Sequence, residues 1–419
     1  MRNRIIFFFI LLTASSLSAQ PTDDLQQIHG VARGGFGFTI IEENGEETLY
    51  YTLSFQPELM FLNFGLGLNI DLLYNPDPDE GEDNLREEDL KLEKILRYVR
   101  WGNKRDPIYA RVGELDRATL GHGFIMGNYQ NQIIENHRNI GLEFDVSRPS
   151  FGFETCTSSF RRLEVIGGRF VYHPLMNRIS APIIDRLALG ATAVGDMDPD
   201  RDSHTNDDIM IWGVDAELPI LENKLTEASI YTDFAQIRSY GSGAAVGVQF
   251  IIPNLFHLME ATLRVEERFL GDEFMPQYFD SFYEQDRSGR LSALKGAESV
   301  NGTFGSLTAS ILNQITVNGS YQYYNKNDFR GTGHLGAWLN PNKASKFLLW
   351  GTYDKAGVET IEDLFTLDEQ SLANAYFGYG INSFLYLTVQ YEWTFHRDEQ
   401  LQLITHERII PRLEFSMRF

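Results

Sequence analysis

The chain has 419 residues, with 58 acidic and 36 basic side chains and a formal net charge of -22 at pH 7. This charge disfavours nucleic-acid binding, because phosphate backbones are bound by basic surfaces. The single cysteine, Cys156, excludes an internal disulfide and a metal site built from several cysteines.

Residues 1–19 have the order of a secretory signal peptide. Arg2 and Arg4 precede an apolar run over residues 5–12, and small residues follow up to Ala19. The run is too short to span a bilayer as a helix. We expect cleavage after Ala19, a short periplasmic tail over residues 20–27, and a single domain over residues 28–419.

Short segments in which apolar and polar residues alternate recur along this domain. In residues 385–395, for example, Leu387 and Val389 alternate with Thr388 and Gln390. Successive strand side chains point to opposite faces, so one face suits lipid and the other suits water. No stretch of 18 apolar residues follows the signal peptide, and the mean hydropathy is -0.26. The pattern predicts an all-β transmembrane antiparallel up-and-down barrel of about 18–20 strands, with 16 as the lower count. A soluble all-β sandwich is the alternative.

The connections between these segments alternate between short turns and long polar loops. Outer-membrane barrels have short periplasmic turns and long outside loops, and an even number of strands places both termini in the periplasm. The predicted long loops are residues 75–93, 115–137, 195–207, 271–300, 354–370 and 397–407.

The last segment places Leu413, Phe415, Met417 and Phe419 on one face, and the sequence ends on that aromatic residue. This pattern resembles the assembly signal of Gram-negative outer-membrane β-barrel proteins. The resemblance is to a broad, porin-like class. It implies a place in the outer membrane, insertion by the barrel-assembly machinery, and contact with membrane lipid and lipopolysaccharide.

The loop over residues 115–137 is polar and contains a glycine-rich run at residues 121–127. General porins fold an outside loop into the lumen, so by resemblance this loop is expected to narrow the pore; an ordinary surface loop is the alternative. The wall carboxylates facing it are expected to favour cations. The candidate pore-lining residues are Arg117, His122, Asn128 and Glu135 on or beside the loop and Arg111, Glu143, Asp145, Asp215, Glu217, Glu260 and Arg264 on the wall.

Five aspartates have a spacing like that of the oxygen ligands in a calcium loop: Asp196, Asp198, Asp200, Asp202 and Asp207. Arg201 stands where an EF-hand needs glycine, which argues against that motif. A looser calcium site and a solvated acidic loop are the alternatives. No motif for another cofactor occurs, and no catalytic pattern such as Gly-x-Ser-x-Gly or His-Glu-x-x-His is present, so the chain is not expected to be an enzyme.

The five tryptophans are expected in the aromatic girdles at the two membrane interfaces, with a stacking track for sugars as the alternative. They are Trp101, Trp212, Trp338, Trp350 and Trp393.

Two functions fit these expectations. The first is a channel for passive or weakly selective passage of small hydrophilic solutes, because 18–20 strands enclose an aqueous lumen. The second is a non-transport barrel, either a secretion or assembly partner or a surface-binding protein, whose long loops, such as residues 271–300, bind another protein.

Overall fold

The computed structural model describes residues 29–43, 46–78, 83–104, 106–115, 117–134, 138–178, 181, 183–202, 204–205, 207–223, 225–256, 258–312, 314–326, 330–339, 346–360, 362–397 and 403–418. The expected signal peptide and periplasmic tail lie outside the described residues, as do Glu135, His137 and Phe419. Within the described part of the chain, no helix is long and apolar enough to cross a membrane.

The described residues form 21 strand segments. In chain order these are β1 (His29–Glu43), β2 (Glu46–Phe61), β3 (Phe64–Leu68), β4 (Ile70–Tyr74), β5 (Leu96–Trp101), β6 (Ile108–Gly113), β7 (Gly141–Ser147), β8 (Phe151–Thr157), β9 (Val165–Tyr172), β10 (Ala188–Asp196), β11 (Ile209–Glu222), β12 (Glu227–Ile237), β13 (Ser242–Leu255), β14 (Met259–Leu270), β15 (Val300–Ile311), β16 (Ile315–Tyr324), β17 (Gly331–Leu339), β18 (Phe347–Val358), β19 (Ser371–Gly380), β20 (Leu385–Arg397) and β21 (Leu403–Arg418). Two short helices, α1 (Leu92–Ile95) and α2 (Arg287–Lys295), and 3-10 turns at Glu87–Leu90, Ile184–Arg186 and Asp363–Phe365 lie in the connections.

The strands form one closed antiparallel barrel. β1 pairs with both β2 and β21, so that Gly34 lies opposite Phe55 on one side and Phe415 on the other. β3 and β4 both pair with β2 and are two halves of one strand, interrupted at Asn69. The 21 described segments therefore make a barrel of 20 strands. The predicted fold class is confirmed, and the lower count of 16 is wrong because the weakly patterned segments at β5, β8 and β17 are also strands.

The outer surface of the barrel is apolar and the inner surface is polar. On β1, Phe36 is 60% exposed and Phe38 and Ile40 are also exposed, whereas Thr39 between them is buried. On β21, the assembly-signal residues Leu413, Phe415 and Met417 lie on the outer face. A closed barrel satisfies its backbone hydrogen bonds internally, so a hydrocarbon layer can cover this apolar band without leaving backbone polar groups unpaired.

The connections differ between the two ends of the barrel. We call the end with residues 75–95, 114–140, 197–208, 271–299 and 359–370 the loop end, and the opposite end the turn end. Departures from the expected alternation occur at both ends, and at the loop end residues 238–241 form a short connection between β12 and β13. Residues 173–187 form a long connection at the turn end. The predicted long loop 397–407 is shorter than expected, residues 398–402, because the pairing of β20 with β21 continues as far as Arg397 and Leu403.

Candidate pore and its constriction

The loop between β6 and β7 lies inside the barrel. Its residues contact inward-facing side chains of β8, β12 and β18. Backbone hydrogen bonds join Ala118 and Tyr129 in both directions, which makes the loop a compact hairpin-like turn. The side chains of Leu115, Met126 and Tyr129 are fully buried. The loop thus occupies the lumen, as residues 115–137 were expected to do, whereas its role as the constriction stays a prediction.

The wall is shaped to receive this loop. Inward-facing apolar residues, among them Ile211 and Ala235, replace the polar ones where the loop packs. On β11, a Cβ atom added at Gly213 would lie 2.9 Å from Cδ1 of Ile125. A side chain at that position would push the loop away from the wall, so glycine permits the close approach.

A second loop, residues 271–299, packs beside the first one. The two loops pair through their backbones, with Gly127 N–H donating to the carbonyl of Phe279 at 3.0 Å and Gln277 N–H donating to that of Phe124 at 2.8 Å. Tyr278, Phe279 and Tyr283 of the second loop are buried in the shared apolar core. The sequence analysis missed this insertion, although the density of aromatic residues in a predicted surface loop was a signal for it.

Ion pairs inside the barrel anchor the second loop. The guanidinium of Arg287 on α2 donates to both carboxylate oxygens of Asp196 on β10, at 2.9 and 2.7 Å, and also to Glu164. Tyr283 donates to Asp196 at 2.7 Å, and Tyr129 of the first loop donates to Glu284. Burial raises the pKa of Glu284, and Arg287 opposes this shift.

His122 anchors the tip of the first loop. Its imidazole lies 3.1 Å from Asp233 and 3.5 Å from Glu217, and it stacks on Tyr231 with ring centroids 4.0 Å apart. Burial alone would lower the pKa of His122, but hydrogen bonds to Asp233 and Glu217 raise it to about 9. The imidazole is therefore protonated at neutral pH. Arg264 donates to the carbonyl of the same residue at 2.6 Å.

A further ion pair connects the loop with another part of the wall. Arg117 donates to Asp354 on β18 at 3.1 Å, and Asp354 also lies 3.0 Å from His334 on β17. Ser281 of the second loop donates to the same carboxylate at 3.2 Å. Both inserted loops are therefore anchored to β18 through one buried carboxylate.

The part of the lumen that the loops leave open is a polar cavity of about 530 Å³. It is bordered by β1, β2, β4–β6 and β17–β21, and its lining includes Asp89 and Lys94 from the connection 75–95 and Leu339, the last residue of β17. The basic residues that line it are Arg33, Lys94, Arg97, Arg111, Arg117, Arg138, Arg408 and Arg412, and the acidic ones are Glu58, Asp71, Asp89, Glu114, Glu392 and Glu414.

Bases therefore outnumber acids in the cavity lining, although the whole chain is strongly acidic. Most acids are already paired: Arg408 contacts Glu392 at 2.7 Å and Arg412 contacts Asp71 at 3.3 Å. Among the described residues, no carboxylate lies within 4.0 Å of the guanidinium nitrogens of Arg33 or Arg111. The guanidinium of Arg111 lies over the ring of Tyr98, 4.9 Å from its centroid. These cations remain available to a solute.

Of the predicted pore-lining residues that the structure describes, only Arg111 and Arg117 line this cavity. Glu143 and Asp145 instead bind Lys104, each at 2.9 Å, and Asp215 binds Arg169 at 2.7 Å. His122, Glu217 and Arg264 hold the first loop. Asn128 has a positive φ and shapes that loop, and Glu260 is exposed on β14.

The expected cation preference from Glu143 and Asp145 stays a prediction, although the ammonium group of Lys104 lies between the two carboxylates and offsets one of their two charges. Sequence reasoning missed Arg33, Arg138, Arg408 and Arg412 as lining residues. The signal for the last two was present, since they alternate with the outward-facing residues of β21.

Three of the five predicted calcium ligands lie together. Oxygen atoms of Asp198, Asp200 and Asp207 lie within 4.8 Å of one another. Asp196 instead accepts a hydrogen bond from the guanidinium of Arg287. The carboxylate of Asp202 accepts a hydrogen bond from the backbone N–H of His204. Calcium binding by the remaining three aspartates stays a prediction.

The tryptophans divide between the two surfaces of the barrel. Trp101 and Trp212 are 48% and 45% exposed on the outside, as expected for a girdle. Trp338 and Trp350 instead line the cavity, so the expectation of five girdle tryptophans is corrected for these two. They occupy the inward positions of β17 and β18, on the same face as His334 and Asp354.

The chain matches no known protein-family model, and no curated protein matches its sequence. Among solved structures, it is similar to OccK8 (OprE) of Pseudomonas aeruginosa, with a TM-score of 0.34, 8% identity, and coverage of 94% of this chain and 98% of that one. OccAB4 of Acinetobacter baumannii gives a TM-score of 0.35 and 8% identity at the same coverage. OccK5 (OpdH) of Pseudomonas aeruginosa gives 0.34 and 13%, also at that coverage. The strand pairing and the apolar outer surface, rather than these matches, establish the chain as a closed antiparallel β-barrel with an apolar outer band that suits a membrane.

Proposed function

We propose that the protein is an outer-membrane channel through which small hydrophilic solutes pass, with a preference for anions. The observation that supports this most directly is the charged cavity beside the inserted loops. Its lining contains more bases than acids. Fixed positive charges in a narrow, poorly screened lumen raise the local concentration of anions.

The two loops support passage rather than the non-transport alternative. A loop that binds an external partner presents its side chains outwards, whereas the aromatic residues of the loop 271–299 are buried inside the barrel. The loops also confine the open part of the lumen to one side. Such a narrow segment dominates both resistance and selectivity.

Periplasmic termini, contact with lipopolysaccharide and insertion by the barrel-assembly machinery belong to the same proposal. The described ends of β1 and β21 lie at the turn end, where Val31 pairs with Arg418. Short turns favour the periplasmic side. Protease accessibility of the loop 359–370 in whole cells tests this orientation.

The function is tested by reversal potentials of the purified protein in planar bilayers under a potassium chloride gradient. We expect anion preference for the wild type and a clear loss of it in the double variant Arg33→Gln, Arg111→Gln. The matched control is the double variant Arg186→Gln, Arg238→Gln, which also removes two positive charges, at exposed pairs with Glu222 and Asp208 outside the cavity. A cation-selective wild type, or unchanged selectivity in the double variant, contradicts the anion preference. Silent bilayers contradict the channel itself.

A further inference from the structure

Three aromatic side chains form a row across the inner wall of the cavity. Trp338 on β17 pairs in register with Trp350 on β18, and Trp350 pairs with Tyr376 on β19. All three line the cavity. Neighbouring strands lie about 4.8 Å apart, so the row is roughly 10 Å wide. We call these three residues the aromatic row.

The aromatic row has a defined orientation. The rings of Trp350 and Tyr376 are nearly parallel, with an interplanar angle of 11° and centroids 5.8 Å apart. The hydroxyl of Tyr376 donates to Glu414 at 2.7 Å, and Glu414 also accepts a hydrogen bond from Thr388 at 2.9 Å. A fixed ring loses little conformational entropy when a ligand covers it, which favours binding.

Large apolar rings are unexpected in this part of the lumen. Elsewhere the cavity lining is mostly charged or amide-bearing, as an aqueous passage requires. Apolar surface left in water is unfavourable, and the wall would lose nothing in strand pairing if smaller polar residues replaced the indoles. The arrangement is explained by a solute that has an apolar face of its own.

Neutral hydrogen-bonding groups lie beside the aromatic row. Asn374 is two residues from Tyr376 on the same face of β19 and pairs in register with Thr352 on β18. Both residues line the cavity. The amide oxygen of Asn374 is buried and has no hydrogen-bond partner among the described residues. A buried acceptor without a partner is costly, and rotation of the amide towards the cavity would let a ligand hydroxyl satisfy it.

We propose that the aromatic row and Asn374 form a binding subsite for the pyranose ring of a neutral sugar. A pyranose ring has an apolar C–H face that covers an indole, and its hydroxyls project at the edge, where Asn374 and Thr352 lie. A planar aromatic solute would stack equally well but would leave the Asn374 oxygen unsatisfied. The subsite goes beyond the proposed anion passage, because it recognises ring shape without charge.

Saturation-transfer NMR on the detergent-solubilised full chain tests this subsite. The method reports contact between protein and ligand protons without requiring conduction, so it is independent of the channel function. The probes are methyl α-D-glucopyranoside, which is locked as a ring, and sorbitol, an open-chain polyol of similar size. We expect transfer to the C–H protons of the glucoside and about tenfold weaker transfer to sorbitol.

Two variants and a control locate the contact. Trp350→Leu and, separately, Trp338→Leu are expected to reduce the glucoside signal about tenfold. The matched control Trp212→Leu removes an exposed tryptophan from the outer surface and should leave the signal unchanged. Retention of the compact form on unboiled electrophoresis verifies folding of each variant, and the wild-type comparison of ring and polyol stands even if a variant does not fold.

The outcomes separate the two proposals. The sugar subsite is overturned if the glucoside and sorbitol give equal signals, or if neither lumen variant changes the glucoside signal. It is also overturned if p-cresol displaces the glucoside and Asn374→Ala has no effect on the glucoside signal. Anion-selective conductance together with any of these results leaves the channel intact. Ring-specific transfer from a protein that does not conduct contradicts the channel and supports the subsite.

Discussion

At the scale of single residues, His122 shows how a polar side chain can hold a loop inside a barrel. Its imidazole meets two carboxylates from neighbouring strands and is stacked on Tyr231. In an unfolded chain the pKa of histidine is about 6.5, and in the docked loop it is about 9. The ion pairs therefore contribute their full stabilisation below pH 6.5 and lose it as the pH rises through about 9.

We expect the conductance of the wild-type protein to rise between pH 8 and pH 10, because deprotonation of His122 weakens the docking of the loop. His122→Asn should show the higher conductance already at pH 7 and lack the step. The matched control is His204→Asn, since His204 is 91% exposed in the connection 197–208. If the conductance of His122→Asn still rises between pH 8 and pH 10 as in the wild type, a group other than His122 causes the rise.

A second prediction at this scale concerns Glu143 and Asp145. Both bind Lys104 and neither lines the cavity. The variant Glu143→Gln, Asp145→Asn should therefore leave ion preference and conductance unchanged in planar bilayers. A shift towards anions in this variant would restore the sequence-based view that these carboxylates select cations.

At the scale of elements, the two inserted loops behave as one packed unit. They share backbone hydrogen bonds, an apolar core and the carboxylate of Asp354. Shortening the first loop between residues 121 and 131 should therefore raise single-channel conductance and also expose the second loop. Single-channel recording and limited proteolysis within 271–299 measure the two effects. Raised conductance without new cleavage would mean that the loops are independent.

The anchor of the second loop can be removed separately. Arg287→Met leaves Asp196 buried without its cation, and such a loss costs about 3–5 kcal/mol. Glu164 and Glu284 lose the same partner but still lie 3.6 and 3.8 Å from Arg201. Release of the loop 271–299 from the wall exposes the carboxylate to water and relieves that cost. We therefore expect faster proteolysis of this loop while the barrel stays intact. Lys295→Met, an exposed position on the same helix, is the matched control. Barrel unfolding in place of loop release would contradict this account.

At the scale of the whole molecule, pairing of β1 with β21 closes the barrel and turns an apolar band outwards. The two classes of tryptophan should therefore respond differently to membrane lipid. In proteoliposomes with brominated lipid, a variant that keeps only Trp212 should be strongly quenched, and one that keeps only Trp350 should not. Equal quenching of the two would place Trp350 on the lipid side.

The sequence by itself determined the fold class, the polarity of the two barrel surfaces and the approximate strand count. These features follow from the two-residue period of a strand, which is a local property that any single segment displays. Through resemblance to general porins it also indicated that the loop 115–137 enters the lumen, with an ordinary surface loop as the alternative. The strand at Phe151–Thr157 is weak in pattern, because its inner face packs against the loops and combines Gly152 and Cys156 with a single charged residue, Glu154.

The tertiary structure alone decided which charges meet in the lumen. Lys104 and Glu143 are separated by about forty residues in the chain, and Arg287 and Asp196 by about ninety. Each pair nevertheless forms an ion pair in the folded barrel. The side of the barrel that the loops fill, and hence the cavity lined by Arg33 and Arg111, depends on these pairings. Likewise, strand alternation places Trp338 and Trp350 on a common face, but only the closed barrel identifies that face as the inner one. The local period of a strand specifies which residues share a face. Which side chains meet in the lumen depends on the register of the barrel and on the packing of the loops, and both are non-local.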